Sequence, residues 1–385
     1  MAKKKKRVEL RKNRTKPPRP RQWTRGFQEH GFTEEATLND ERVRAKGDLS
    51  RKRTIIQDDS PEQPGAAADT MPTVDPAICQ PGRVLRVHGL TSVVQTDSGK
   101  IFRCAVRRLL KSLSRDERNV VATGDRVWIG STETVKGDLE GVIERVEPRH
   151  GMLTRASRGR EHVIVANVDQ FVIVMALVEP DLKPHLIDRY LASAEQGGIA
   201  PILCLNKADL IDPAACQPII GQYSQLGIPT ILTSATSGTG IARLRRLLKG
   251  RQSVFAGQSG VGKSSLLNAV QPGLGLRVRT VSEGTHKGRH TTTTAQLLEL
   301  DFGGWVVDTP GIRQFELWNI IPEEMEGFFP EFRPYVTLCA FPDCTHTHES
   351  RCAIKQAVAD RYIDESRYFS YLGMFSGKAE EIREE

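Results

Sequence analysis

The sequence predicts a multidomain chain: an OB-type β-barrel, an α/β domain around a phosphate-binding loop, and a small α-helical zinc-binding domain at the C-terminus. Three observations carry this. Short β-like runs separated by Gly and Asp turns crowd residues 76–150. Buried strands alternate with helices across 156–318, the pattern of a parallel sheet covered on both faces. Three cysteines and a histidine cluster within 319–385.

Length and composition leave room for these parts and for an unpacked segment. The chain has 385 residues, of which 38% are hydrophobic, and a net charge of +8. The charge is concentrated. Residues 1–53 hold 18 Lys and Arg against 7 Asp and Glu, whereas the rest holds 37 against 40. A basic, Pro-containing segment over 1–75 with no apolar period reads as a disordered tail. Its natural partner is phosphate-rich, such as nucleic acid; the plainer alternative is a solvated tail that aids solubility. No run of 18 apolar residues exists, and no apolar stretch follows the initial lysines, so neither a membrane span nor a signal peptide is expected. Seven cysteines, three of them clustered, suit a reducing cytoplasm and a metal site better than a disulfide framework.

In chain order, strands are expected over 82–88, 91–96, 100–106, 125–129 and 141–146, five in all and enough for a small barrel. Such a barrel serves RNA binding or plain protein contact. Residues 149–157 read as a linker. Strands then fall at 171–176, 201–205 and 229–233, with helices at 186–196, 216–226 and 241–248. Further strands are expected at 254–256, 294–300 and 305–307, and one helix from Ile354 to about Tyr371.

The run Gly257-Gln258-Ser259-Gly260-Val261-Gly262-Lys263-Ser264-Ser265 follows an apolar strand and opens a helix. Its spacing is G-x-x-x-x-G-K-S, the phosphate-binding loop. Backbone N–H groups and the helix N-terminus favour phosphate oxygens, Lys263 reaches the β/γ-phosphates and Ser264 ligates Mg²⁺. Upstream, a buried strand runs into Asn206-Lys207-Ala208-Asp209. A carboxylate at Asp209 accepts from guanine N1–H and N2–H₂, which adenine does not offer. Asn206 can bond the purine and brace the loop, and the Lys207 stem can cover the base. Ser234-Ala235 resembles a second base-contacting loop. Downstream, Asp308-Thr309-Pro310-Gly311 ends a strand. There Asp308 would hold Mg²⁺ through water and the Gly311 amide would sense the γ-phosphate. Between the two lies His290 followed by four threonines, Thr291 to Thr294, a polar loop that could offer a hydroxyl to Mg²⁺ or form an edge strand.

All five elements of a P-loop GTPase are therefore present, with the base readers placed before the phosphate loop. That order is a circular permutation, feasible because domain termini often lie close together. Ras-type enzymes position the attacking water with a Gln after D-x-x-G, and here Ile312 occupies that place. His290 is the local candidate to polarise water, or a loop histidine without that role. Finally, Cys339, Cys344, His346 and Cys352 form a four-coordinate structural zinc set, with His348 as a competing ligand.

This ordered set resembles the RsgA/YjeQ family, circularly permuted bacterial GTPases acting on the small ribosomal subunit, over about residues 76–375. The resemblance implies an OB domain, a permuted GTPase domain and a zinc domain. It implies 30S-stimulated hydrolysis of GTP to GDP in late subunit maturation, with the flanking domains on 16S rRNA. It also implies that His290 directs the water and that Thr292 is the switch threonine on Mg²⁺. A monomer in the cytoplasm is expected. Two other classes remain: a GTP-binding RNA scaffold with little turnover, and a P-loop ATPase, which Asp209 disfavours.

Overall fold

Five strands close into a barrel between Cys79 and Val146. The computed structural model describes residues 5–9, 52–56, 72–108, 110, 120–133, 139–156, 161–276, 295–308 and 322–377. Within the basic segment the described residues form one antiparallel pair, β1 (Lys5–Glu9) with β2 (Lys52–Ile56). Its second strand holds the β-favouring run Thr54-Ile55-Ile56.

The barrel strands are β3 (Cys79–His88), β4 (Thr91–Thr96), β5 (Ile101–Val106), β6 (Arg126–Glu133) and β7 (Leu139–Val146). They pair in the order β3-β4-β5-β7-β6, and β6 returns to β3. Only β5–β7 is parallel within this ring. This is the closed five-stranded OB-type barrel that the run of short strands predicts. Alternate residues point inward, so Val84, Val94, Phe102, Cys104, Val127, Ile129 and Ile143 fill the interior. The long first strand serves two neighbours at once, which is how five short strands leave no barrel edge.

The stretch expected as a linker is partly strand. β8 (Leu153–Ala156) forms a hairpin with β9 (Glu161–Val165), and Leu153 and Val165 are buried in the next core. Short apolar runs flanked by arginines and glycines gave no sign of this pairing.

The second sheet runs β12 (Thr230–Leu232), β11 (Ala200–Asn206), β10 (Gln170–Ala176), β13 (Gln252–Ala256), β15 (Trp305–Asp308), β14 (Gln296–Glu299). All pairings are parallel except that of β14 with β15. β10 lies at its centre and is apolar on both faces, as a doubly covered strand must be. Phe171, Ile173 and Met175 join one core, with Ile187, Tyr190 and Leu191 of α1 (Pro184–Gln196) and Tyr223 of α2 (Gln217–Gln225). Val172, Val174 and Ala176 join the other, with Leu244 and Leu248 of α3 (Ile241–Leu248) and Leu266, Leu267 and Val270 of α4 (Lys263–Val270). The two-residue period of a strand divides the cores.

β14 also pairs with β3 at Gln296 and Arg86, so the barrel continues the sheet. Around that junction Arg83 of β3 donates to Gln252 Oε1 at 2.7 Å and lies 5.1 Å over the Trp305 ring. Burial, joined by the neighbouring Arg126 charge, lowers its pKa to about 10, so it stays cationic at neutral pH. Gly124 sits at φ +91°, and a Cβ there would meet Ala166 O at 2.3 Å. Only glycine permits that approach.

The C-terminal part begins with 3₁₀ turns at Pro322–Phe328 and Pro330–Phe332, followed by α5 (Arg333–Val336), α6 (Ala353–Ala359) and α7 (Glu365–Phe375). The single helix expected from Ile354 to Tyr371 is two helices. Asp360 caps the first, Arg361 takes φ +61°, and Asp364 caps the second by accepting from Ser366 N. Phe329, Phe332, Ile354, Ile363 and Tyr371 make its core. Of its tyrosines, Tyr371 is buried and Tyr362 is 73% exposed.

The module seats on α1 through buried charge. Arg367, 2% exposed, donates to Asp188 Oδ1 at 2.7 Å and to Glu331 Oε1 at 2.6 Å, with its guanidinium 4.6 Å over Phe329. Tyr223 OH donates to the same Asp188 oxygen at 2.8 Å.

Candidate functional site

The C-terminal ends of β10, β11, β12 and β13 converge, the edge of an open α/β sheet where ligands bind. The phosphate loop follows β13 there. Gly257 has φ +143°, and a Cβ on it would meet Val174 O at 2.0 Å. Gly260 and Gly262 take φ +86° and +93°. These left-handed positions bend the loop so that successive amides can face one ligand. α4 starts at Lys263 directly behind it, and Ser264 and Ser265 are half-buried in its first turn. Lys263 Nζ donates to Gly257 O at 2.7 Å and Gln258 O at 2.6 Å, which draws the ammonium across the loop. Val261 is fully buried beneath it, while Ser259 is exposed at its tip.

The Asn206–Asp209 loop leaves β11, one strand beyond β10. Asn206 is 2% exposed and donates from Nδ2 to Val261 O at 2.8 Å. Its Oδ1 accepts from Thr233 Oγ1 at 3.2 Å. A Cβ on Gly262 would meet that same Nδ2 at 2.4 Å, so the glycine also makes room for the brace. One side chain therefore joins three loops. Lys207 takes φ +63° and its Nζ donates to Glu179 O. Asp209 stands exposed in the 3₁₀ turn Ala208–Leu210. Ser234, fully buried, accepts from Ser237 N at 3.0 Å and shapes the loop that follows β12; Ala235 packs beside the second core. Neither Thr233 nor Glu179 belongs to a spaced motif, so the sequence alone does not mark them.

Asp308 ends β15, next to β13. His290, Thr291 to Thr294, Gly311 and Ile312 lie outside the described residues.

A second group lies in the C-terminal module. Ligand atoms of Cys339, Cys344, His346 and Cys352 all fall within 4.8 Å of one another. His346 Nδ1 is 3.6 Å from Cys339 Sγ and 3.4 Å from Cys352 Sγ. A tetrahedral ion with bonds of roughly 2.0–2.3 Å needs donor separations of roughly 3.5–3.8 Å, so the group could hold a metal ion. His348 is excluded from it: the ring is exposed and turns to Thr347 Oγ1 at 3.0 Å. Burial and the neighbouring thiols push Cys344 up to about 12, so this thiol would rest protonated without a cation beside it. Burial works against the Glu349 carboxylate, yet the Thr345 hydroxyl and nearby amides hold it at about 2, which pins the loop around His346.

A phosphate loop and a base-reading loop on a doubly covered parallel sheet, with the base reader first in the chain, define a circularly permuted GTPase that hydrolyses GTP. It carries an OB-like barrel before that sheet and a Cys/His module after it. The RsgA GTPase family model matches residues 146–318. A small ribosomal subunit biogenesis GTPase RsgA from Thermotoga petrophila is 42% identical over 298 residues, covering 76% of this chain and 95% of that protein. Another from Sodalis glossinidius is 40% identical over 308 residues, covering 78% and 86%. The crystal structure of YjeQ from Thermotoga maritima is similar with a TM-score of 0.63 and 38% identity, covering 78% of this chain and 98% of that one. The circularly permuted GTPase YloQ gives a TM-score of 0.60 at 29% identity. The chain belongs to the RsgA GTPase family.

Proposed function

We propose that the chain is a GTPase of late 30S subunit maturation, working in the cytoplasm as a monomer. In this reading it binds 16S rRNA and hydrolyses GTP to GDP and phosphate when the small subunit stimulates it. The observation that carries the reading is the Asn206 brace between the base loop and the phosphate loop, 2.8 Å to Val261 O. Base identity and phosphate position are thereby held in one rigid frame. The relatives' name, small ribosomal subunit biogenesis GTPase, supports the partner. The basic N-terminal segment and the barrel supply candidate RNA contacts.

Asp209 would accept from guanine, with Lys207, Ser234 and Ala235 around the base and the Gly257–Ser265 amides around the phosphates. Lys263 would neutralise the β/γ-phosphates. Magnesium would be held by Ser264 and Thr292, and through water by Asp308, and would supply charge neutralisation on the phosphate chain. Gly311 would sense the γ-phosphate. His290 would polarise the water that attacks phosphorus while the bond to the β-phosphate oxygen breaks. Zinc, held by Cys339, Cys344, His346 and Cys352, would be structural, because four protein donors close its sphere.

His290→Ala is expected to leave GTP affinity unchanged while lowering the subunit-stimulated rate by roughly 10²–10⁴. Titration with a fluorescent GTP analogue and phosphate release read the two. Normal hydrolysis in His290→Ala would remove that residue from the mechanism.

A further inference from the structure

Glu326 lies outside the four-donor group, on the 3₁₀ turn Pro322–Phe328, yet its Oε2 is 2.7 Å from His346 Nε2. The same ring turns Nδ1 to the sulfurs of Cys339 and Cys352. A ring that ligates through Nδ1 must carry its proton on Nε2, where it needs an acceptor. The ring is 1% exposed, so bulk solvent does not reach it. Phe332 and Tyr371 flank it with centroids 6.2 and 6.1 Å away and offer apolar faces. The Tyr371 hydroxyl is committed to Thr345 O at 2.8 Å, and Tyr368 OH to His346 O at 2.7 Å.

We propose that Glu326 is a positioning residue of the metal site: its carboxylate fixes the His346 ring in the orientation and tautomer that present Nδ1 to the ion. The proposal rests on the zinc reading above. It also ties the metal to the turn Pro322–Phe328. The turn that carries Glu326 is the first described element after Asp308, so the site is closed by a segment well before its first cysteine.

The test is zinc competition against a chromophoric chelator, using the full-length chain. Glu326→Ala is expected to weaken zinc binding roughly 10–100-fold, the usual effect of removing an outer partner of a ligating histidine. Glu326→Gln keeps an amide oxygen that can accept from Nε2–H, so its affinity should lie between those of Glu326→Ala and wild type. Glu324→Gln, exposed on the same turn, should match wild type. GTP affinity of each variant reports that the chain is folded. Glu326→Ala within twofold of wild type, or Glu326→Gln no better than Glu326→Ala, overturns the role of Glu326 alone. A wild-type chain that takes up no zinc overturns the zinc reading instead.

Discussion

Lys263→Ala is expected to abolish GTP binding, a loss of about 3 kcal/mol or more, roughly a hundredfold in Kd or greater. The ammonium is held over the loop by Gly257 O and Gln258 O, and these carbonyls would face the incoming phosphates without a cation between them once it is removed. The loop itself should survive, because its shape rests on the glycines and on Asn206 rather than on the lysine. Gly262→Ala should produce a similar loss by another route. Its Cβ would lie 2.4 Å from Asn206 Nδ2 at φ +93°, so the brace must break or the loop must shift. Calorimetric titration with GTP and with ATP checks both variants. In wild type, ATP should compete poorly, because Asp209 has no adenine donors to accept from in the guanine arrangement. Normal GTP binding by Lys263→Ala would contradict the site.

Metal removal should have the second large effect, and on the C-terminal module. Residues 322–377 are few, and a single core of that size rarely supplies more than about 3–5 kcal/mol. Structural zinc sites of this kind contribute up to about 10–16 kcal/mol in isolated fingers, so chelation or Cys352→Ser should unfold the module. The effect should spread. Arg367 leaves with the module, which uncovers Asp188 in α1 and the Tyr223 hydroxyl bonded to it. The checks are an early unfolding transition in calorimetry and protease cleavage after 322 on chelation. Zinc binding should also weaken as pH falls. Burial and the adjacent thiols keep Cys344 protonated at neutral pH when no cation is present, whereas the bound form is the thiolate. Uptake therefore releases protons, and acid opposes it. A chain equally stable with and without zinc would contradict a structural role.

Local chemistry explains what could be read in advance. Gly257–Ser265 and Asn206–Asp209 were legible because each motif is contiguous and each follows a short apolar run. The permutation was legible because order along the chain is itself sequence. What stayed hidden depends on pairs far apart in the chain. Arg83 with Gln252, Asp188 with Arg367, and Glu326 with His346 belong to no spaced pattern. The break between α6 and α7 escaped notice because Arg361, at φ +61°, is not a glycine. The choice of His346 over His348 needed the direction of each ring, which alternation in sequence does not give.

The central claim is that this permuted nucleotide site is a switch completed by the small ribosomal subunit. The direct measurement is the rate of phosphate release from GTP by the full chain, alone and with purified 30S subunits. Ile312 stands where Ras-type enzymes place their water-orienting Gln, so the rate alone should be very low. Subunits should raise it on the order of tenfold or more, since a partner that completes such a site in trans can contribute 10³–10⁵. An identical rate with and without subunits would contradict the account and leave a GTP-binding scaffold in its place.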